Sequence, residues 1–382
     1  MKLRILTFNA WAMVPPLGRD ITARMQAIGA ALPGLELDIA AFQEFWDADA
    51  RSQVVAAGRR AGLPHAWHRP AAASGSGLLV LARRPFRITR FEAYELRGLP
   101  EAIQHADYWG GKGFAELTFE TNAGGFCLLD THLHAAYAAR ALDPYVGHRV
   151  GQVLQLAERV RAIELPVIAA GDFNFEEQRE EHEILTGLTG LEDVAAVLGT
   201  RENTLLSSNL YRDAANSEAR IDYIFCRDGK RARITPTRID RVLDDAIEGH
   251  ESSTSYSDHA GLLAELELQA AVGAPPAIDP TALPLARRLL ARGRADAERR
   301  RADQRTAGAL GLAAAPAALA CARISAVTRR RFLQKSLLAA GSLAALVGAG
   351  SLIRSEALRA EELRAFDGAL ERANRLDSKA MP

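Results

Sequence analysis

Aromatic residues make up only 6% of this 382-residue chain, and its three cysteines, Cys127, Cys226 and Cys321, form no close pair. An odd, scattered set excludes a disulfide framework and a thiolate metal centre, and reads as core or incidental thiols in a reducing compartment. Charge of one sign is also missing, because 47 basic residues cancel 47 acidic ones. The chain therefore lacks the overall positive field that draws a protein to a nucleic-acid polyanion. Met1-Lys2-Leu3-Arg4-Ile5-Leu6 offers neither an apolar export segment nor a small-residue cleavage site, so the N-terminal part is expected to stay in the cytoplasm. There is no Gly-x-Ser-x-Gly elbow, no P-loop and no His-Glu-x-x-His helix, which removes the commonest serine-hydrolase, nucleotide-hydrolase and zinc-protease signatures.

What is present is an alternation of short apolar runs and helical segments up to Leu268. Strands are expected at Leu3–Asn9, Leu37–Glu44, Gly77–Ala82, Gly113–Glu120, Phe126–His132, Val167–Asp172, Ile221–Cys226 and Gly261–Leu268. Each is rich in Val, Ile, Leu or Phe and bounded by Gly, Asp, Asn or Pro. Asp20 is placed to cap a helix in which Ile21, Met25, Ile28 and Leu32 share a face, and Arg149–Ile163 has apolar residues at helical spacing. The pattern predicts a mixed α/β domain of two packed sheets with outer helices over residues 1–268.

Composition changes at Ala270–Pro284, where four prolines among Ala and Gly mark a linker, residues 269–284. Residues 285–382 form an Arg/Ala-rich tail expected to be helical. Leu285–Arg305 reads as a basic helix and Ser355–Leu376 as a charged amphipathic one. Between them Ser336–Ile353 is an uncharged run of about 18 residues, near the shortest length that spans a bilayer. Thr306–Ala322 is uncharged too, but its Ala, Gly and Pro316 make it a weaker membrane segment.

The polar residues that end the strands carry the chemistry. Gly171-Asp172-Phe173-Asn174 follows the apolar run Pro166–Ala170. Alternate strand residues share a face, so Asp172 and Asn174 would present a carboxylate and an amide to the same side. Asn9 closes the first strand, Gln43-Glu44 the second and Thr131-His132-Leu133-His134 a middle one. Arg220-Ile221-Asp222 and Ser257-Asp258-His259 add carboxylates and a further imidazole. Any one of these alone reads as a cap, a turn or a satisfied core group; a polar group at so many strand ends does not. Glu44 suits a hard cation that takes oxygen ligands, and a histidine beside a carboxylate suits general-base work near neutral pH.

In this order the motifs resemble the endonuclease/exonuclease/phosphatase superfamily. Ser74-Gly75-Ser76-Gly77-Leu78, Asp107-Tyr108-Trp109-Gly110-Gly111-Lys112-Gly113 and Thr131-His132-Leu133-His134-Ala135-Ala136-Tyr137 with His148-Arg149 are similar to its neutral sphingomyelinase branch. Ala136 departs from that branch, which often has Glu there. The resemblance implies a four-layer α/β sandwich, dependence on Mg²⁺ (or Mn²⁺), and hydrolysis of sphingomyelin or a related lysophospholipid or inositol lipid. It implies Glu44 as principal metal ligand with Asn9 and Asp258, and His259 as general base oriented by Asp222 or Asp258. It further implies Asp172 near the leaving group, and Asn174, His132, Lys112 and His134 toward the phosphate.

A lipid substrate in a membrane, a metal ion and no obligatory nucleic acid follow from the same resemblance, and no protein partner is predictable from it. Ser336–Ile353, preceded by Arg329-Arg330-Arg331 and Lys335, then reads as a membrane segment that leaves the domain facing the cytoplasm. Thr328–Lys335 before an Ala/Leu run also resembles a twin-arginine export signal, though not at an N-terminus. The alternatives are a soluble cytoplasmic protein whose Ala-rich helix packs on its neighbours, and a hairpin that also uses Thr306–Ala322. For function they are a nuclease or nucleotide phosphodiesterase on the same scaffold, and a catalytically silent scaffold protein.

Overall fold

The computed structural model describes residues 1–14, 17–69, 76–102, 105, 107–138, 142–213, 217–247, 254–327 and 331–378. Ser74, Gly75 and the Thr328–Arg330 part of the twin-arginine motif lie outside the described residues. The strands are β1 Lys2–Ala12, β2 Ile39–Phe45, β3 His65–His68, β4 Leu79–Ala82, β5 Phe86–Ala93, β6 Gly113–Phe119, β7 Phe126–His132, β8 Val167–Asp172, β9 Glu192–Asp193, β10 Asp222–Arg227, β11 Ala232–Val242, β12 Ala246–Ile247, β13 Thr254–Ser255 and β14 Gly261–Ala270. The helices are α1 Ile21–Ala31, α2 Ala48–Arg60, α3 Val146–Ala162, α4 Glu180–Thr189, α5 Val194–Val197, α6 Ala282–Val327, α7 Arg331–Ile353 and α8 Arg359–Ser378.

Two six-stranded sheets run β11-β14-β1-β2-β4-β3 and β5-β6-β7-β8-β10-β9. They pack face to face with helices outside, the four-layer α/β sandwich. The strand pairs β1/β2 and β7/β8 are parallel and central, the other neighbours antiparallel.

Period-two alternation sorts each central strand between two cores. Leu3 and Ile5 of β1, Ile39 and Ala41 of β2, Phe126 and Leu128 of β7, and Ile168 and Ala170 of β8 fill the space between the sheets. Leu6 and Phe8 face α1 and α2, whereas Leu129 and Ala169 face α3. Continuing each inward series by two or four residues reaches Thr7 and Asn9, Gln43, Asp130 and His132, and Asp172. The apolar sandwich therefore turns polar at one end, where the strands stop.

Asp20 does not cap α1. Its backbone is left-handed and its side chain makes no cap bond; the carboxylate instead accepts from Tyr211 Oη at 2.8 Å. The residue that braces the start of α1 is Arg24, fully buried, which donates to the carbonyls of Ala10 and Trp11 at 2.8 and 2.9 Å. Cys127 and Cys226 are buried thiols and Cys321 is exposed on α6.

The tail is built into the domain. Leu283, Ala286 and Leu290 of α6 and Phe366, Ala369, Ala373 and Leu376 of α8 join Val150, Val153, Leu154 and Ala157 of α3 in one core. Fully burying a Leu or Phe contributes about 1.5–3 kcal/mol, against about 0–1 kcal/mol for an exposed ion pair, so packing holds the tail down. Beyond that contact α6 and α7 leave the domain as an antiparallel pair. Gly308, Gly311 and Gly348 let the two backbones approach, since a Cβ on Gly348 would stand 2.8 Å from Leu312 N. Each of the two helical stretches is long and apolar enough to cross a membrane, and Leu310, Leu319, Leu343 and Leu346 are exposed on them.

Candidate metal and phosphate site

The site forms where β1, β2, β7, β8 and β10 end. Asn9 Nδ2 donates to Asp172 Oδ2 at 2.9 Å and to Glu44 Oε1 at 3.1 Å, so one amide ties the two sheets together through two carboxylates. Asn9 Oδ1 is taken by the Trp11 amide at 3.0 Å. His132 Nε2 stands 3.4 Å from Asp172 and 3.7 Å from Glu44. Alternation would turn Glu44 away from the inter-sheet space, because Gln43 already points into it. A left-handed backbone at Glu44 (φ 63°) brings the carboxylate back, and a non-glycine residue held there marks a conformation imposed by its surroundings. Asn174 has the same feature at φ 53°.

A second group adjoins the first. His259 Nδ1 lies 2.8 Å from Asp222 Oδ2, and Asp172 belongs to both groups. Asp172 and Asp222 are cross-strand partners on β8 and β10. Gly171 permits this crowding: at φ 154° it runs so close to β7 that a Cβ would meet Thr131 O at 2.0 Å.

Two more expected residues converge from the side, and two do not. Asn174 Nδ2 and Lys112 Nζ both donate to Leu133 O, at 2.9 and 3.0 Å, and Lys112 is ion-paired with buried Asp107. His134 is turned out of the cluster: its Nδ1 faces Ala135 O at 2.8 Å and its ring stacks on Tyr145 with centroids 4.0 Å apart. Asp258 is half-buried, accepts from Ser257 Oγ at 3.2 Å and joins neither tight group.

Burial pushes the Glu44 carboxyl up to about 7, with Asp258 adding to the shift, and burial followed by Asp222 raises Asp172. Burial and then Lys112 hold His132 well below the usual imidazole range. His259 goes the other way: burial opposes its charge, but Asp222 and Asp258 outweigh it and raise the imidazole to about 10. The raised carboxyls and the raised His259 are those of anionic oxygens crowded in a dry site, whereas His132 is kept neutral by burial and a nearby cation. Two carboxylates beside an imidazole whose nitrogens make no hydrogen bond are a donor set that fits a divalent cation.

Composition alone did not flag the layer beneath. Gln43 Nε2 donates to Asp130 Oδ1 at 2.8 Å and to Thr7 Oγ1 at 3.3 Å, and burial raises the Asp130 carboxyl well above the carboxylate range. A charged residue two places before His132 in an otherwise apolar strand was the available signal. Trp46 walls the site, its Nε1 donating to Gly110 O at 3.1 Å and its ring 6.1 Å from that of His132.

Two sheets joined at a carboxylate–histidine cluster define an α/β sandwich with a candidate metal site at one end. The chain matches the Endonuclease/Exonuclease/phosphatase family over residues 6–259 and belongs to that family. It is 32% identical over 275 residues to a Putative neutral sphingomyelinase of Drosophila melanogaster, covering 70% of this chain and 61% of that one. It is 33% identical over 193 residues to Inositol phosphosphingolipids phospholipase C of Schizosaccharomyces pombe (48% and 44% covered). With human Sphingomyelin phosphodiesterase 2 it shares 28% over 281 residues (70% and 64%). The chain thus spans between 44% and 64% of the length of these curated relatives.

Among solved structures, Danio rerio TDP2 with a single-stranded DNA product aligns at a TM-score of 0.53 and 20% identity, covering 70% of this chain and 99% of that one. Sphingomyelinase C from Streptomyces griseocarneus aligns at 0.52 and 20%, covering 69% and 99%. These likenesses establish the fold.

Proposed function

We propose that the chain hydrolyses the phosphodiester of a membrane sphingophospholipid, sphingomyelin or an inositol-bearing relative, to a ceramide-like product and a phosphorylated head group. One observation carries the reading: the strand-end site and a pair of apolar helices occur together, and the helices leave the domain at the site's own end. α6 starts beside Gly187 at the far end of α4 and meets Gly147, at the start of α3, with its Gly293. It then continues past the end where β7 and β8 stop. The names of the sphingomyelinase and phospholipase relatives support the same substrate class.

Glu44, beside Asp172 and His132, would hold a divalent cation, Mg²⁺ or Mn²⁺, which when bound neutralises non-bridging phosphate oxygens. His259, with Nδ1 given to Asp222, has Nε2 free to take the proton of the attacking water. As the new P–O bond forms, the bond to the lipid oxygen breaks, and Asp172, whose carboxyl is raised, gives that oxygen a proton. Asn174, Lys112 and His132 face the phosphate, with Leu133 O holding the amide and the ammonium in place. Asn9 sets the distance between Glu44 and Asp172.

The helix pair enters the bilayer, and the arginines at its base, Arg299, Arg300, Arg301 and Arg305, put the domain on the cytoplasmic side. Arg331 and Lys335 at the tip weaken that bias.

The test is turnover by the full chain with Mg²⁺ on vesicles of sphingomyelin, vesicles of an inositol phosphosphingolipid, and duplex DNA. Release of a phosphorylated head group, abolished by EDTA, is the expected result. Cleavage of DNA with both lipids untouched would overturn the lipid reading.

A further inference from the structure

The segment between β5 and β6 carries Asp107 and Lys112, and the tail holds its first part. Three residues of α8 reach it. Arg372 donates to Glu95 at 2.8 Å, Glu361 pairs with Arg97, and Arg359 pairs with Glu101. Arg359 is 0% exposed. Glu362 backs it and is itself 3.1 Å from His148 Nε2 and 2.7 Å from Arg300. The apolar face that docks α8, through Phe366, Ala369, Ala373 and Leu376, needs no buried guanidinium. Burying a guanidinium against a half-buried carboxylate is a poor source of stability, and removing one partner is costly because the other is left unpaired. One turn of π-helix, Arg354–Leu358, precedes Arg359 and resets the phase of the helix there.

The held segment touches the site through close contacts. Gln152 donates to Leu96 O at 2.7 Å and accepts from His134 N at 2.9 Å. Gly98, at φ 101°, lies so near His134 that a Cβ would stand 2.2 Å from its Nε2. Ala135 N donates to Asp107 Oδ1 at 3.3 Å, and Asp107 is the partner of Lys112. The Tyr94 amide closes the neck of the segment on Lys112 O at 3.0 Å. A shift of Glu101 or Gly98 therefore moves His134, Asp107 and Lys112 together.

We infer that Arg359, braced by Glu362 and His148, is a positioning residue for Lys112. The tail thus acts on turnover as well as on anchoring, and residues 1–268 alone lack this brace. The inference rests on the phosphodiesterase reading for its kinetic readout only.

The test uses the full chain in detergent micelles with Mg²⁺ and the water-soluble diester bis(p-nitrophenyl) phosphate, where anchoring plays no part. Arg359→Ala is expected to lower kcat on the order of 10- to 100-fold with little change in KM. Arg359→Lys, which keeps the positive charge that Glu101 and Glu362 face, is expected to recover most of the loss, and Asp377→Asn, whose pair with Arg287 lies at the other end of α8, to behave as the parent. Amide exchange is read in parallel on peptides covering Tyr94–Gly98 and Tyr108–Phe114. It should rise in Arg359→Ala and fall back in Arg359→Lys, whatever the substrate proves to be. Unchanged kcat with unchanged exchange overturns the inference. So does a loss that comes with global unfolding and that Arg359→Lys does not repair. A parent protein inactive on every diester, with the exchange pattern still as expected, would sink the proposed function and leave the brace standing.

Discussion

Asp222 and His259, 37 residues apart in the chain, meet at 2.8 Å between Oδ2 and Nδ1. The contact fixes which ring nitrogen is engaged, and Asp172 belongs to the same tight group. Substituting His259→Ala should lower kcat by about 10²–10⁴-fold, the usual share of a general base. Asp222→Asn should lower it too, and removes the main group that raises the imidazole. The acidic limb of kcat/KM against pH should then move to lower pH, because the base is neutral over a wider range. A limb that stays in place would show that His259 is not the titrating base.

Glu44 and Asp172 share Asn9 across the two sheets. Glu44→Gln keeps the shape and removes the charge a cation needs, so Mg²⁺ affinity measured by calorimetry should fall at least ~100-fold. Wild-type affinity in that variant would move the metal away from Glu44.

The raised Glu44 pKa sets a pH window. The folded value is about 7 against an ordinary 4.5, so between them the unfolded chain is ionised and the folded one is not. Its contribution to stability therefore falls as pH rises through that interval. His259, raised from 6.5 to about 10, contributes stability that is full below 6.5 and lost as pH passes 10. A cation binds the carboxylate form only, so added Mg²⁺ should raise the melting temperature more at about pH 8 than at about pH 6. Equal shifts at both would contradict the assignment.

Gly171→Ala places a methyl 2.0 Å from Thr131 O at a φ of 154°. With no flexible side chain to give way, β7 and β8 must part, and a loss of roughly 2–4 kcal/mol is expected. Thermal melting of the variant reads it, and a parent-like midpoint would mean the strands part at little cost.

Leu343 and Leu346 on α7 are 62% and 72% exposed. Replacing both with Arg should cost about 2.5–3.5 kcal/mol each if that face meets acyl chains. The variant should fail to float with vesicles and keep its turnover of a soluble diester. Flotation unchanged would return the helix pair to the aqueous phase.

The strands legible in the chain were the interior ones. Each expected run corresponds to β14, β1, β2, β4, β6, β7, β8 or β10, and the four sheet edges, β3, β5, β9 and β11, were not anticipated. An edge strand needs little apolar surface and carries charge that blocks further pairing: β5 alternates Arg87 and Arg90 with a few apolar residues, and β11 contains Arg233, Pro236, Arg238 and Asp240. Helices α2 and α4 were also hidden, because their polar residues blur the 3.6 period.

The succession of strands along the chain and the polar residue at each strand's end are properties of local pattern, and the chain alone determined them. Which of those groups touch was a matter of topology. Asn9 spans Glu44 and Asp172 only because two sheets stack, His134 leaves the cluster because Tyr145 offers its ring, and Glu44 enters it by a left-handed turn. The docking of α8 on α3, and with it the pair of buried Arg359 with half-buried Glu101, joins residues 258 apart. Contacts at that separation depend on the packing of whole layers, which no local run of residues encodes.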